Sequence, residues 1–370
     1  MSAGRAAAVA ALVATAACGH VLYPLWLLVR TRGTERIEPP TPDPWPAITV
    51  LVVAHREAGI IAAKVDDVLA NSYPGEHEVL VVADDAKTAA AARASPARVI
   101  EFEERLGKPE AINRGVEAAG HDVVVITDAN TTLAPGSLAA LVRWVGNGSI
   151  VAVAGEKTVV GGRGESFYWR FESWLKQLEA RTGSTVGLVG ELAAFDRRSF
   201  RAIPADTPVD DLWLALDMSE QGDCIAYEPN AATQERELTS ATADWDRRTR
   251  IVAGTLEVLW RRRRLLLPGA TPITAQLWGH RLVRSSFGPL AHALLLGLAA
   301  RRMHRSGTAV LFVGAHLLGA AALARRLQGR EQGAFDRAAA QVLYLQAVGA
   351  AGTVRFLRGD RPVHWQKESR

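Results

Sequence analysis

Short apolar segments alternate with helix-like segments along the middle of the chain, and this alternation constrains the fold more than any other feature. The predicted strands, each a short run rich in Val, Ile and Leu, are residues 48–53, 79–82, 99–102, 123–126 and 150–154. The helices predicted between them are residues 60–70, 86–94, 109–119 and 138–145. Such alternation is typical of an α/β domain with a Rossmann-like, mostly parallel sheet, which binds ligands beyond the carboxyl ends of its strands.

Acidic residues follow three of these strands directly. Glu57 comes after the first strand, Asp84 and Asp85 after the second, and Asp128 after the fourth. Each of them could be an ordinary loop residue. Because parallel strands deliver their carboxyl ends to one edge, the recurrence predicts a shared, acid-lined pocket.

The triplet Asp128-Ala129-Asn130 ends the fourth strand and suggests a metal site. A carboxylate and an amide oxygen suit a hard divalent cation, Mg²⁺ or Mn²⁺, bound to a nucleotide diphosphate. An Asp at a strand end can also be a turn or capping residue. The order of the other motifs along the chain favours the metal interpretation.

Apolar segments of membrane length lie outside this α/β region. Residues 6–29 contain no Asp, Glu, Lys or Arg, and Arg30, Arg32 and Arg36 follow, which predicts an anchor whose next segment is cytoplasmic. A cleavable or lipoprotein signal peptide is the alternative, but the run continues well past Cys18. Predicted C-terminal membrane segments are residues 286–300, 307–324 and, as a third candidate, 338–354.

Composition excludes several classes of protein. With 370 residues and 48% hydrophobic content, the chain can bury a catalytic core and still supply membrane segments. Two cysteines, Cys18 and Cys224, exclude a disulfide framework and a Cys-rich zinc site, and they fit a reducing cytosol. The net charge is +4, and the basic residues cluster beside apolar runs, which indicates anionic lipid headgroups rather than nucleic acid as partners.

Five motifs together resemble a known family. They are residues 53–57, 83–85, 107–113, 128–130 and 209–211, in the family's order across residues 48–267. The chain resembles the membrane-bound, inverting family 2 glycosyltransferases of GT-A fold, which are related to cellulose, hyaluronan and poly-N-acetylglucosamine synthases. The combination is specific although each motif alone is not.

The resemblance implies a nucleotide-sugar site. By it, Glu57 and either Asp84 or Asp85 contact the nucleoside, and Lys108 and Asn113 lie near the diphosphate. A lysine at a helix start makes independent electrostatic sense there, because the ammonium and the helix N-terminus act on the same anion.

The resemblance also implies the catalytic residues. Asp128 and Asn130 would hold the Mg²⁺ or Mn²⁺ ion, and Asp211 would be the base that takes the proton of the acceptor hydroxyl, with Asp210 as its support. Two adjacent acids also allow the opposite assignment. Arg250 would neutralise the departing diphosphate.

The chain departs from the family pattern at several positions. Asn130 replaces the usual second Asp, and Glu191 and Asp196 stand where smaller or apolar residues are expected on the acceptor side. Processive members carry Gln-x-x-Arg-Trp, whereas residues 247–251 read Arg-Arg-Thr-Arg-Ile. Acceptor identity and processivity therefore stay open.

We expect a membrane-bound enzyme that moves a sugar, with a UDP-sugar as the favoured donor, to a lipid-linked or growing glycan. The expected location is the plasma membrane, with several spans, membrane lipids as partners and the catalytic domain in the cytoplasm. The alternatives are a catalytically silent scaffold and, disfavoured by the membrane segments, a soluble nucleotidyltransferase. The predicted divisions are an anchor (1–30), a Pro-rich linker (31–47), the catalytic domain (48–267), membrane helices (268–357) and a basic tail (358–370).

Overall fold

The computed structural model describes residues 3–35, 37–160, 166–236, 241–328, 330 and 332–360. Arg36 and the last ten residues of the predicted basic tail lie outside this range. The described chain forms an α/β domain together with long apolar helices from both ends of the sequence.

An eight-stranded mixed sheet organises the domain, in the order β3-β2-β1-β4-β7-β6-β8-β5. The strands are β1 (Ile48–Ala54), β2 (His77–Ala83), β3 (Arg98–Glu101), β4 (Val123–Asp128), β5 (Thr131–Leu133), β6 (Ile150–Val160), β7 (Leu192–Asp196) and β8 (Cys224–Arg236). All five strands predicted from the apolar runs are present. The strands β1 to β4 are mutually parallel, whereas β7 runs antiparallel to both β4 and β6.

Helices cover both faces of this sheet. The helices of the domain are α2 (Ile61–Leu69), α3 (Ala86–Arg93), α4 (Lys108–Ala118), α5 (Ser137–Val142), α6 (Ser166–Ala180), α7 (Asp210–Glu220) and α8 (Ala241–Arg261). Along β1, Val50 and Val52 enter one apolar core and Leu51 enters the other. Burial on both faces explains why these strands are continuously apolar rather than alternating.

Three helices in the described part of the chain are long and apolar enough to cross a membrane. They are α1 (Ala3–Arg30), α9 (Thr274–Ala300) and α10 (Gly307–Leu327). The helix α9 begins twelve residues before the predicted segment at 286, and its added part contains His280, Arg281 and Arg284. The third candidate segment lies in α11 (Ala334–Leu357), which packs along α8, where the Tyr344 hydroxyl donates to Asp244 Oδ2 at 2.7 Å.

A buried polar cluster joins the membrane helices to α6. His280 Nδ1 lies 2.7 Å from Glu179 Oε1, and its Nε2 lies 3.2 Å from Glu172 Oε2. Arg284 pairs with Glu172, and the Tyr23 hydroxyl of α1 donates to Glu179 at 2.6 Å. The helix α6 is therefore the element on which α1 and α9 meet the catalytic domain.

Glycine allows α1 and α9 to approach closely. A Cβ atom at Gly279 would lie 2.2 Å from the Tyr23 ring, whereas one at Gly297, on the same helix, would meet nothing within 4 Å. The crossing point therefore needs glycine, and the later position does not.

We expect Gly279→Val to destabilise the protein by about 1–3 kcal/mol, because the added side chain overpacks this crossing. Gly297→Val is the matched control, since it adds the same side chain to the same helix without a clash. The measurement is the thermal unfolding midpoint of each detergent-purified variant. Equal midpoints for the two variants would contradict the helix crossing described above.

Candidate active site

A pocket opens at the carboxyl ends of β1, β2 and β4. The parallel register places Val53 of β1 beside Asp128 of β4, and Ala54 beside Ala83. The residues that continue these strands therefore converge on a cavity of about 210 Å³. Its polar lining includes His55, Glu57, Asp84, Arg105, Lys108, Asp128, Asn130, Glu191, Thr207, Asp210, Asp211, Arg247 and Arg250.

Lys108 lies between the acidic groups from two parts of the chain. Its Nζ is 2.9 Å from Asp128 Oδ1 and 4.0 Å from Asp210 Oδ2. Gly107, at φ 79°, precedes it and lets the chain turn into α4. Burial opposes its charge, but the carboxylates of Asp128 and Asp210 raise the pKa of Lys108, so the ammonium stays protonated.

Asp128 and Asn130 fit a hard divalent cation. Both line the pocket, and Asp128 shares its surroundings with the carboxylates of Glu191 and Asp210. Burial, followed by the repulsion from those two acids, raises the pKa of Asp128 despite the opposing Lys108. A cation placed among these oxygens would relieve that repulsion.

A second group of possible metal ligands, His55, Asp84 and Asp85, has its donor atoms within 4.8 Å of one another. His55 Nδ1 is already 2.5 Å from Asp84 Oδ1. Asp85 accepts the backbone N–H of Arg56 at 2.7 Å on Oδ2, and that of Thr88 at 3.0 Å on Oδ1. Because a cation would compete with these bonds, the group is better suited to hydrogen bonding than to holding a hard metal ion.

Asp210 and Asp211 begin α7 and project into the same pocket. Burial, and then the adjacent Asp210, raise the pKa of Asp211 to about 6, although Arg281 opposes the shift. Asp211 Oδ1 also accepts the N–H of Leu212 at 2.7 Å, so the residue contributes to the helix start as well. A carboxylate with a pKa near 6 is suited to take a proton at neutral pH.

Comparison with known proteins relates this domain to a family. Residues 49–203 match the family model described as glycosyl transferase family 2. The mannosyltransferase PcManGT from Pyrobaculum calidifontis, solved in complex with GDP-Man and Mn²⁺, is 23% identical to this chain and superposes with a TM-score of 0.73. The alignment covers 94% of this chain and 98% of that one. Residues 49–203 therefore form a family 2 glycosyltransferase domain. The resemblance to family 2 glycosyltransferases, the GT-A fold and the enzyme class are thereby confirmed.

Two further relatives are more distant. The β-monoglucosyldiacylglycerol synthase of Synechocystis sp. is 23% identical across 57% of this chain and 48% of its own length, so this chain spans about half of that relative. The mannosyl-3-phosphoglycerate synthase of Rubrobacter xylanophilus is 16% identical, with a TM-score of 0.43 over 66% of this chain and 81% of that one.

Most of the predicted site residues share the pocket. Those that line it are Glu57, Asp84, Lys108, Asp128, Asn130, Asp210, Asp211 and Arg250. Asp85 and Asn113 are not among the lining residues. Asp85 caps α3 through Thr88, and Asn113 holds the backbone of Ile203, which donates to Oδ1 at 2.8 Å and accepts from Nδ2 at 2.9 Å.

The sequence did not reveal a charged group beside Asp128 and Asn130. Lys157 of β6 pairs with Glu191 and lies 2.5 Å from Glu235 of β8, and Arg247 lies 3.6 and 3.5 Å from the same two acids. In the sequence, Glu191 and residues 247–251 were recognisable only as departures from the family pattern. Lys157 and Glu235 carry no local signal, because pairing between β6 and β8 brings them together.

Arg250 faces the pocket from α8. Burial, followed by the nearby Arg247 and Arg355, lowers the pKa of Arg250 to about 10, which still leaves it charged at neutral pH. A guanidinium that is repelled by neighbouring arginines is stabilised by a bound anion, as expected for a group that contacts a diphosphate.

Substitution of Asn113 distinguishes a structural role of this residue from the predicted contact with the diphosphate. We expect Asn113→Ala to lower the free energy of unfolding by about 1–3 kcal/mol, because the buried backbone of Ile203 loses both partners. Donor affinity of the folded variant, measured by calorimetry, should stay close to that of the wild type. The control is Arg114→Ala, which removes an exposed neighbour; a selective loss of donor affinity in Asn113→Ala would support the diphosphate role instead.

Proposed function

We propose that the protein is a membrane-bound, metal-assisted, inverting glycosyltransferase that uses a nucleotide sugar, with a UDP-sugar favoured, to glycosylate a lipid-linked or growing glycan acceptor. The observation that carries the proposal is the placement of Asp211 in one pocket with Lys108 and Asp128. A base, a cation for the diphosphate and a metal ligand are the three groups that such a transfer needs.

The reaction follows from these positions. The acceptor hydroxyl oxygen forms a bond to the anomeric carbon from the face opposite the nucleotide, and its proton moves to the Asp211 carboxylate. The bond between that carbon and the diphosphate oxygen breaks, and the nucleoside diphosphate leaves with the bonding electrons. Lys108 and Arg250 stabilise the charge that develops on it. A divalent cation held by Asp128 and Asn130 would supply further positive charge to the same oxygens.

The membrane helices support a lipid-borne acceptor. A Cβ atom at Gly187 would lie 2.2 Å from Arg281 Nη2, so this side chain of α9 extends to the loop that leads to Gly190 and the pocket. A membrane helix thus contributes a group close to the base. The relative whose name specifies a glycosylated diacylglycerol agrees with an acceptor of this kind.

The arginines that follow α1 support the cytoplasmic orientation. Arg30 and Arg32 are the basic residues at the end of this helix in the described part of the chain. The excess of Lys and Arg in cytoplasmic segments would place the catalytic domain on that side, where nucleotide sugars are present. We propose the plasma membrane as the location.

The test is release of nucleoside diphosphate from a panel of nucleotide sugars by detergent-purified protein, with membrane extract as the source of acceptor. We expect one donor to be turned over, only with Mn²⁺ or Mg²⁺, and turnover to fall at least 100-fold in Asp211→Asn, which removes the base. Asp211→Asn should still bind the donor. The anomeric configuration of the product, read by NMR, should be inverted.

Asp217→Asn is the control for this experiment, because Asp217 is a buried carboxylate on the same helix that pairs with Arg262 outside the pocket. It should retain turnover. Full activity of Asp211→Asn, or a product with retained configuration, would contradict the assignment of the base. Binding of a donor without turnover, in the presence of extract, would favour the scaffold alternative.

The pH profile provides a separate prediction about Asp211. Since the ionised form is the base, turnover should rise with pH through an apparent pKa of about 6. The positive charge of Arg281 lowers this pKa, so Arg281→Gln should move the acid limb to higher pH, and Arg281→Lys should leave it nearly in place. The measurement is turnover at saturating donor from pH 5 to 8; an unmoved limb in Arg281→Gln would contradict the proximity of the two groups.

A further inference from the structure

The amide of Asn130 has a buried carboxylate as its neighbour. Asn130 Nδ2 donates to Glu235 Oε1 at 3.3 Å, and Asn130 itself lines the pocket. Its Oδ1 accepts no hydrogen bond from the residues that the structure describes. The reverse orientation would set two acceptor oxygens against each other, so the carboxylate dictates which end of the amide faces the pocket.

Glu235 is held in its ionised form. It is 5% exposed, and Lys157 Nζ and Arg247 Nη2 lie 2.5 and 3.5 Å from its Oε2. The two ion pairs favour the carboxylate form, which only accepts hydrogen bonds, and they also fix the position of Glu235.

We propose that Glu235 is a positioning residue that turns the Asn130 carbonyl oxygen toward the divalent cation, and that its presence is the reason an amide stands at position 130. A second carboxylate there would face Glu235 at hydrogen-bond distance and be repelled by it. The amide supplies a metal-binding oxygen on one side and a donor for Glu235 on the other. This inference rests on the metal-assisted transfer proposed above.

The same ion pairs account for two other departures from the family pattern, Glu191 and Arg247. Glu191 and Glu235 are bridged by the same two cations, Lys157 and Arg247. Arg247 occupies the first position of the altered Gln-x-x-Arg-Trp segment. Asn130, Glu191 and Arg247 thus belong to one charge-balanced group, in which each unusual residue has a partner.

The test measures metal affinity without turnover. Full-length, detergent-purified protein is titrated with Mn²⁺ in the presence of UDP or GDP, and free Mn²⁺ is followed by electron paramagnetic resonance. We expect Glu235→Gln to weaken Mn²⁺ binding about tenfold or more, the usual effect of losing an outer partner of a metal ligand. Asn130→Asp should also bind Mn²⁺ more weakly than the wild type, although it adds a negative charge.

The double variant, Asn130→Asp with Glu235→Gln, distinguishes positioning from simple damage. The glutamine can donate to the new carboxylate, so Mn²⁺ affinity should return to within about threefold of the wild type. Glu228→Gln is the matched control, because Glu228 is another buried acid of β8, bonded to Trp144 Nε1 at 3.0 Å and outside the pocket. It should leave Mn²⁺ affinity unchanged even if it lowers the unfolding temperature.

Several results would overturn the inference. Tighter Mn²⁺ binding by Asn130→Asp alone, unchanged binding by Glu235→Gln, or no recovery in the double variant would each exclude a positioning role for Glu235. If the wild type binds no Mn²⁺ with either nucleotide, the metal part of the proposed function fails together with this inference. Failure of the inference alone is therefore distinguishable from failure of the proposed metal-assisted function.

Discussion

Charge balance in one buried pocket is the constraint on which the site depends. The parallel register of β1, β2 and β4 brings acidic residues to a common edge, and the start of α7 adds Asp210 and Asp211. Buried carboxylates in such number repel one another unless cations lie among them. Lys108 supplies one such cation between Asp128 and Asp210. A divalent ion and a diphosphate, bound together, add charges of both signs and so fit a pocket that already contains both.

Three departures from the family pattern, Asn130, Glu191 and Arg247, make physical sense as a group. Taken one at a time, Asn130 contributes no charge to the proposed metal site and Glu191 adds an unexpected charge. In the structure, Lys157 and Arg247 neutralise Glu191 and Glu235 together, and Glu235 accepts the amide hydrogen of Asn130. In this arrangement each of the three residues has a charged or hydrogen-bonding partner. A motif whose residues differ from the family pattern can therefore keep its function when the changed residues contact one another across neighbouring strands.

Much of the fold could be predicted from the sequence, because its signals are local. Buried parallel strands are continuous apolar runs, and the acids that follow them need no long-range information to be placed at one edge. The start of α9 could not be predicted in this way, since His280, Arg281 and Arg284 interrupt the apolar run. Their partners, Glu172 and Glu179, lie about a hundred residues earlier in the chain. Lys157 and Glu235 were missed for the same reason, because only pairing between β6 and β8 brings them together.

The contact between membrane helices and catalytic domain has a consequence for the chemistry. Charged groups at the end of an apolar helix are costly unless they are paired, so His280 and Arg284 hold α9 against α6 through Glu172 and Glu179. This fixed position directs Arg281, one residue after His280, past Gly187 toward Asp211, the proposed base. Because electrostatic effects depend steeply on distance in a buried site, a shift of α9 relative to α6 would change the pKa of Asp211. One side chain of α9 therefore links this apolar helix to Asp211, the proposed proton acceptor, and the sugar acceptor would be engaged where these two parts meet.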